Sequence, residues 1–207
     1  MQVSSLVENL LVESDALRKG HFLLSSGLHS DRYVQCQLVM QYPRYSMQLA
    51  KMLVDSLWEK GLRPTAVVGP ALGAVHWEVF VATALDEKWG AEGGKPVRAM
   101  FAERPSGSDV FEIRRGVSLE LGEKVLVVED VITTGGSAKQ VIKLVEFLGA
   151  TPCGLATIVD RSGGKAEFEI PFISLLQLNI KSYPEQDCPL CRSGENLVKP
   201  GSRKAAG

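Results

Sequence analysis

A chain of 207 residues, 45% of them hydrophobic, suffices for one domain with a buried core and a small appendage. Its 23 basic residues nearly balance 24 acidic ones for a net charge of −1, so no global basic field exists and nucleic acid is not an expected partner. No apolar run reaches bilayer-spanning length, no basic n-region precedes an apolar stretch, and four scattered cysteines form no disulfide framework, so a soluble cytoplasmic protein is expected.

In chain order, residues 3–17 place Val3, Leu6, Val7, Leu10 and Leu11 on one face of an amphipathic helix that must dock on something. Residues 22–27 and 33–36 predict two short strands around a polar turn. Pro43 suits the first position of a helix that continues through Met47, Ala50, Leu53, Val54 and Leu57 to a stop at Gly61. Residues 66–68 read as a buried strand, and residues 69–74 turn from it into a helix reaching about Leu85. Residues 97–101 predict another strand, followed by a polar stretch of little periodicity over 103–116. The apolar run 125–128 predicts a strand buried on both faces. Val141, Leu144, Val145 and Leu148 mark the helix after it, with Gly149 as its C-cap, and a further strand spans 153–159. Alternating strands and helices predict an α/β fold with a mainly parallel sheet. The segment from Leu197, rich in Lys, Gly and Ser, is expected to be mobile.

In such a sheet ligands collect at the carboxyl ends of the strands, which should bring the loops after Val68, Val128 and Val159 together. The second of these is the most informative. Strand 125–128 ends in Glu129 and Asp130, then passes through Thr133-Thr134-Gly135-Gly136-Ser137 into a helix. Backbone N–H groups, hydroxyls and a helix dipole suit a phosphate, while paired carboxylates accept hydrogen bonds from ribose hydroxyls. An acidic pair repels a bare phosphate, so the ligand should carry diol and phosphate at opposite ends. No Gly-Lys-Ser/Thr follows, and the dinucleotide pattern G-x-G-x-x-G is absent.

Three other segments gain meaning beside it. Gly69-Pro70-Ala71-Leu72-Gly73 is either a plain tight turn or a loop whose amides approach a pyrophosphate. Arg161, opening the turn Asp160-Arg161-Ser162-Gly163-Gly164, is either a surface residue or a bidentate partner for a planar anion. The segment 22–33, with its hydroxyls, glycine, Arg32 and Tyr33, taken alone suits any hairpin.

The F-x-L-x-S-G-x-x-S segment, the Gly-Pro-Ala loop, Phe101-Ala102-Glu103-Arg104, the signature VEDVITTGG and the Asp160-Arg161 turn follow the order seen in the orotate phosphoribosyltransferases, and this chain resembles that family from about residue 20 to 161. The resemblance implies the type I phosphoribosyltransferase fold, a central mainly parallel sheet flanked by helices, with a small hood from N-terminal segments. It implies a single domain over 1–207, with roughly 1–40 as hood and roughly 182–207 as a C-terminal extension. The implied reaction transfers phosphoribosyl from phosphoribosyl pyrophosphate (PRPP) to orotate with Mg²⁺, held mainly by PRPP and water.

Residue by residue, the resemblance implies that Glu129 and Asp130 bind the ribose hydroxyls. Val131, Ile132, Thr133, Thr134, Gly135, Gly136 and Ser137 continue the PRPP site to its 5′-phosphate, and Ala71 and Leu72 lie in the pyrophosphate loop. Arg161 pairs with the orotate carboxylate, Thr133 lies near the base, and Tyr33 and Ser26 complete the orotate site. Residues 103–116 correspond to a loop that crosses a homodimer to the neighbouring site. Asp130 and Arg104 are the expected catalytic residues.

The best-known bacterial members carry lysines where this chain has Ser25 and Gly73, and lysines and a histidine in the crossing loop. Here that loop offers Arg104, Arg114 and Arg115. Arg104 is then the candidate for charge on the leaving pyrophosphate, and as an arginine it donates no proton at neutral pH. Competing readings are a phosphoribosyltransferase for a purine or other base, and a PRPP-sensing regulator without turnover.

Cys188-Pro189-Leu190-Cys191 is a C-x-x-C pair with no second pair. Unligated structural cysteines are the leading reading, with metal binding, within one chain or between subunits, and redox chemistry as alternatives. His21, His29 and His76 are too remote in sequence to assign as ligands; His29 falls in the site region and His76 reads as packing. Cys36 and Cys153, in apolar strand contexts, are expected in the core.

Overall fold

The computed structural model describes residues 3–24 and 26–200, and Ser25 lies outside them. Helix α1 (Val3–Glu13) leads to a hairpin of β1 (Leu17–Leu23) and β2 (His29–Val34), a short α2 (Gln37–Met40) and the long α3 (Pro43–Glu59). The central part follows: β3 (Ala66–Pro70), α4 (Val75–Ala91), β4 (Arg98–Glu103), β5 (Glu112–Ile113), β6 (Lys124–Ile132), α5 (Gly136–Phe147), β7 (Thr151–Asp160) and β8 (Phe172–Gln177). The chain ends with β9 (Ser182–Tyr183), a 3₁₀ turn (Glu185–Asp187), α6 (Pro189–Arg192) and β10 (Leu197–Val198).

Six strands form one sheet in the order β5-β4-β3-β6-β7-β8, parallel throughout except for β5. The uninterrupted apolar run of β6 has a physical cause. Leu126 and Val128 pack with Leu53, Leu57, Val81 and Leu85 of α3 and α4, whereas Val125 and Val127 pack with Val141 and Val145 of α5. A strand covered by helices on both faces cannot alternate apolar with polar residues.

A second sheet, in the order β10-β1-β2-β9, joins the N-terminal hairpin to the C-terminal segment. Leu197 and Val198, the first residues of the expected mobile tail, pair in parallel with His21 and Phe22 and complete a sheet edge. Residues 201–207 of that expected tail lie outside the described residues.

Other differences from the sequence reading are local. Helix α1 stops at Glu13, because Ser14 returns its hydroxyl to the Leu10 carbonyl at 2.7 Å and Asp15 takes φ 61°, freeing Leu17 to pair with Val34. Strand β2 stops at Val34, so Cys36, fully buried, stands at the start of α2 rather than on a strand. Cys153 lies on β7 and is only partly buried. Helix α4 outlasts Leu85, its last turns held to α3 by Lys51–Glu87 and Lys88–Asp55 ion pairs. His76 is exposed rather than packed. Strand β8 went unpredicted, since its apolar residues follow neither the strand nor the helix period cleanly.

Candidate active site

Strand β4 lies on one side of β3 and β6 on the other, so the chain reverses its winding between β3 and β6. The crevice beyond their carboxyl ends is where an open α/β sheet binds ligands. Pairing between β3 and β6 ends at Val68↔Val127, while β6 runs on beside β7 to Ile132↔Asp160. That overshoot places Glu129 and Asp130 at the crevice, facing the loop after β3.

The acid pair is held from behind. Thr157 Oγ1 donates to the Asp130 carbonyl at 3.0 Å, and the Val131 N–H donates to Asp130 Oδ1 at 2.8 Å. Burial raises the Glu129 carboxyl to about 8, with the charge of Asp130 adding to the rise and Arg104 opposing it. Burial also raises Asp130, against the hydrogen bond from Val131. Burial thus favours the neutral form of both carboxyls.

The loop after β3 approaches closely. A Cβ at Gly73 would stand 3.3 Å from Asp130 Oδ1, and Gln37 Nε2 donates to the Gly73 carbonyl at 2.9 Å. The Ala71–Leu72 peptide is cis, and the Ala71 N–H is already given to the Ala102 carbonyl at 2.7 Å. Of the two loop residues expected to receive a pyrophosphate, only Leu72, 83% exposed, keeps its N–H without a partner among the described residues.

Glu129 and residues 131–137 line a small polar recess of about 80 Å³. Thr133 and Thr134 are exposed there, and α5 begins at Gly136 with no acidic residue in its first turn. Gly135 caps that helix at φ 76°, and a Cβ on it would stand 2.7 Å from the Phe168 ring. Backbone conformation and lack of space both demand glycine there. A helix N-terminus free of acids and fronted by hydroxyls has the groups that suit an anion.

Arg161 follows β7, its N–H donating to the Ile132 carbonyl at 2.8 Å. Asp160 shapes the turn, accepting from the Ser162 N–H at 2.8 Å and from Gln177 Nε2 at 3.2 Å. The Arg161 guanidinium is partly buried, its Nε has no hydrogen-bond partner among the described residues, and burial lowers its pKa while Tyr33 and Cys36 nearby oppose the shift. Tyr33 therefore reaches the Arg161 side of the cleft, its ring backed by Phe22 at 5.7 Å. Ser26 stays exposed at the hairpin tip, with no hydrogen bond to the cleft among the described residues.

Of the loop arginines, Arg104 is the one whose charge bears on Glu129. It stacks over Phe111 at 3.8 Å, and donates to the Asp109 carbonyl and to Gln140 Oε1 of α5, each at 3.0 Å. Arg115 is held bidentately by Glu103, and Arg114 faces Glu112 at 3.9 Å. Glu78 escaped the sequence reading. Only 2% exposed, it accepts the Gly69 N–H at 3.0 Å, and burial raises its carboxyl to about 8. Its one signal was an acid set among Trp77, Val81 and Leu85 on α4. Cys188 and Cys191 stand outside this cleft, against the second sheet.

Residues 41–187 match the phosphoribosyl transferase domain. The chain is 49% identical over 190 residues, 92% of its own length and 93% of the relative's, to the orotate phosphoribosyltransferase of Caldanaerobacter subterraneus subsp. tengcongensis. It is 44% identical over 198 residues, 96% and 98% of the two lengths, to that of Thermotoga maritima. The solved orotate phosphoribosyltransferase of Mycobacterium tuberculosis, in complex with inorganic phosphate, is similar at TM-score 0.63 and 27% identity, with 85% of this chain and 94% of that one covered.

Proposed function

The chain belongs to the orotate phosphoribosyltransferase family, and we propose that its cleft joins the ribose-phosphate group of PRPP to orotate, giving orotidine 5′-phosphate and pyrophosphate. The observation that carries this reading is the meeting, in one crevice, of an acid pair and a polar recess with a partly buried guanidinium whose Nε lacks a partner among the described residues.

Each half of the cleft takes one substrate. Residues 133–137 receive the 5′-phosphate at the head of α5, and Glu129 and Asp130 accept hydrogen bonds from the ribose hydroxyls. Arg161 pairs with the carboxylate of orotate while Tyr33 packs along the ring, and Thr133 stands between the two substrates. This arrangement aligns the orotate nitrogen with the anomeric carbon, so positioning supplies much of the acceleration. As the bond to pyrophosphate breaks, negative charge grows on the leaving group, and Arg104 stabilises it, either beside its own acid pair or, through the crossing loop, in the neighbouring subunit's cleft. The cleft offers carboxylate and hydroxyl oxygens, a donor set that fits Mg²⁺. Bound with PRPP and water, Mg²⁺ would neutralise part of the same charge.

The family resemblance supports a cytoplasmic homodimer in which residues of about 103–116 serve the neighbouring subunit. No helix among the described residues is long and apolar enough to cross a membrane. The deciding assay mixes protein, PRPP, Mg²⁺ and orotate and follows loss of orotate absorbance beside reactions with adenine, guanine and hypoxanthine. Turnover with orotate alone is expected; PRPP binding without orotate turnover would overturn the reading.

A further inference from the structure

The second sheet gathers four side chains that no step of the reaction uses. His21 on β1, His29 at the start of β2, and Cys188 and Cys191 flanking the first turn of α6 each offer one ligand atom, and these atoms all lie within 4.8 Å of one another. His21 Nε2 is 3.5 Å from Cys188 Sγ, 3.7 Å from Cys191 Sγ and 2.9 Å from His29 Nδ1. His29 Nδ1 is 3.2 Å from Cys191 Sγ.

Hydrogen bonding alone does not explain this convergence. His21 Nδ1 lies 2.9 Å from the Glu195 carbonyl, which only accepts, so Nδ1 carries a proton, and in the neutral ring Nε2 then presents a single lone pair. Three neighbours face that one lone pair. A metal-bound histidine has this arrangement, its far nitrogen donating to a carbonyl and its near one aimed at the ion. Tetrahedral Zn²⁺, with Zn–S near 2.3 Å and Zn–N near 2.0–2.1 Å, sets S···N edges of about 3.5 Å and an N···N edge of about 3.3 Å. The S···N distances of 3.2, 3.5 and 3.7 Å bracket the first value, whereas the N···N distance of 2.9 Å must open and the widest pair, within 4.8 Å, must close when the ion binds.

We propose that His21 Nε2, His29 Nδ1, Cys188 Sγ and Cys191 Sγ bind one structural Zn²⁺. Two thiolates and two imidazoles select zinc over the oxygen-seeking Mg²⁺ of the reaction. Four protein ligands leave no open position, which marks a structural site. Binding converts two thiols to thiolates and releases two protons. Both histidines and Cys188 are at most 3% exposed, while Cys191 is exposed and supplies the way in.

The fold around the cluster explains the need. A bulge in β1 between Lys19 and Phe22 turns the consecutive His21 and Phe22 both inward. The C-terminal segment offers only two-residue strands, a 3₁₀ turn and a four-residue helix, and neither the turn nor the helix contains a buried residue. So little apolar burial does not hold a segment in place. Zinc would clamp it to the hairpin whose second strand carries Tyr33, and so hold the hood over the orotate half of the cleft.

The test uses untagged full-length protein loaded with Zn²⁺, and separately with Co²⁺ after removal of zinc. Expected are one zinc per chain after desalting, and the intense visible bands of tetrahedral cobalt with a thiolate charge-transfer band. Cys191→Ser and His29→Asn should lose the bound equivalent while Cys153→Ser keeps it, and chelation should lower the Tm of the wild type. If the ligand variants do not fold, the wild-type zinc content and cobalt spectrum decide alone. Zinc at the background of a metal-free control together with no tetrahedral cobalt bands would overturn the proposal. So would full zinc retention by Cys191→Ser, or a Cys188–Cys191 disulfide in protein kept anaerobic.

Discussion

Replacing Arg161 by Ala separates a binding role from a packing role, because the two predict opposite effects on stability. In the free protein its Nε is buried without a partner, and burial lowers its pKa. An unsatisfied buried donor costs about 1–3 kcal/mol, so its removal should leave stability unchanged or raise it. Each 1 kcal/mol gained would raise Tm by about 2–4 °C in a chain of this size. Orotate should respond the other way. Truncating one member of a buried, hydrogen-bonded charge pair costs about 2–5 kcal/mol, and a value near 3 lowers kcat/KM for orotate about 150-fold. The KM for PRPP should stay at its wild-type value, since the acid pair and phosphate recess are untouched. Arg161→Lys restores the charge without the planar fork and should recover only part of the loss. Steady-state kinetics on both substrates, with a thermal scan of each variant, makes the comparison. An orotate kcat/KM for the Ala variant within a factor of about three of wild type, roughly 0.7 kcal/mol, would refute the assignment. A fall in Tm accompanied by equal losses on both substrates would refute it as well.

Gly135→Ala should unfold earlier by about 2–4 kcal/mol in denaturant titration, combining left-handed backbone strain with overpacking against Phe168, and should also weaken PRPP binding. Glu78, raised from 4.5 to about 8, holds its proton more tightly when folded. Its contribution is therefore fully present below the unfolded pKa and is lost as pH rises towards 8. Glu78→Gln keeps an acceptor for the Gly69 N–H and cannot ionise, so its Tm relative to wild type should climb between pH 5 and 8 and then level off. Arg104→Ala should cut kcat about 10²- to 10³-fold, on the scale of a lost charge-stabilising donor, with little change in KM for orotate. If the loop serves the neighbouring subunit, mixing inactive Arg104→Ala and Asp130→Asn chains should restore activity through hybrid dimers; a mixture as inactive as its parents would assign Arg104 to its own cleft.

Much of the site was legible because its parts are contiguous. The run from Val125 to Ser137 spells strand, acids, hydroxyls and helix start in order, so local periodicity and residue chemistry were enough to read it. Arg161 was legible for the same reason, standing one residue past an apolar strand. Glu78 was not, since an acid on an apolar helix gains meaning only when the Gly69 N–H is seen facing it. The role given to Ala71 was weakened by a bond to Ala102 on the neighbouring strand, which periodicity cannot reveal.

The sharpest division concerns the four cysteine and histidine side chains. By itself the sequence determined the strand and helix alternation, the ribose-phosphate signature and the family, each encoded in short-range pattern. It presented His21 and His29 as remote from Cys188 and Cys191, and the last segment as a tail. Only the tertiary structure decided otherwise, by pairing β10 with β1 and β9 with β2 and so carrying the chain's two ends to one point. Sheet pairing joins residues without regard to their separation along the chain, so the sequence showed only the C-x-x-C half of this four-ligand cluster and gave no spacing by which to join His21 and His29 to it.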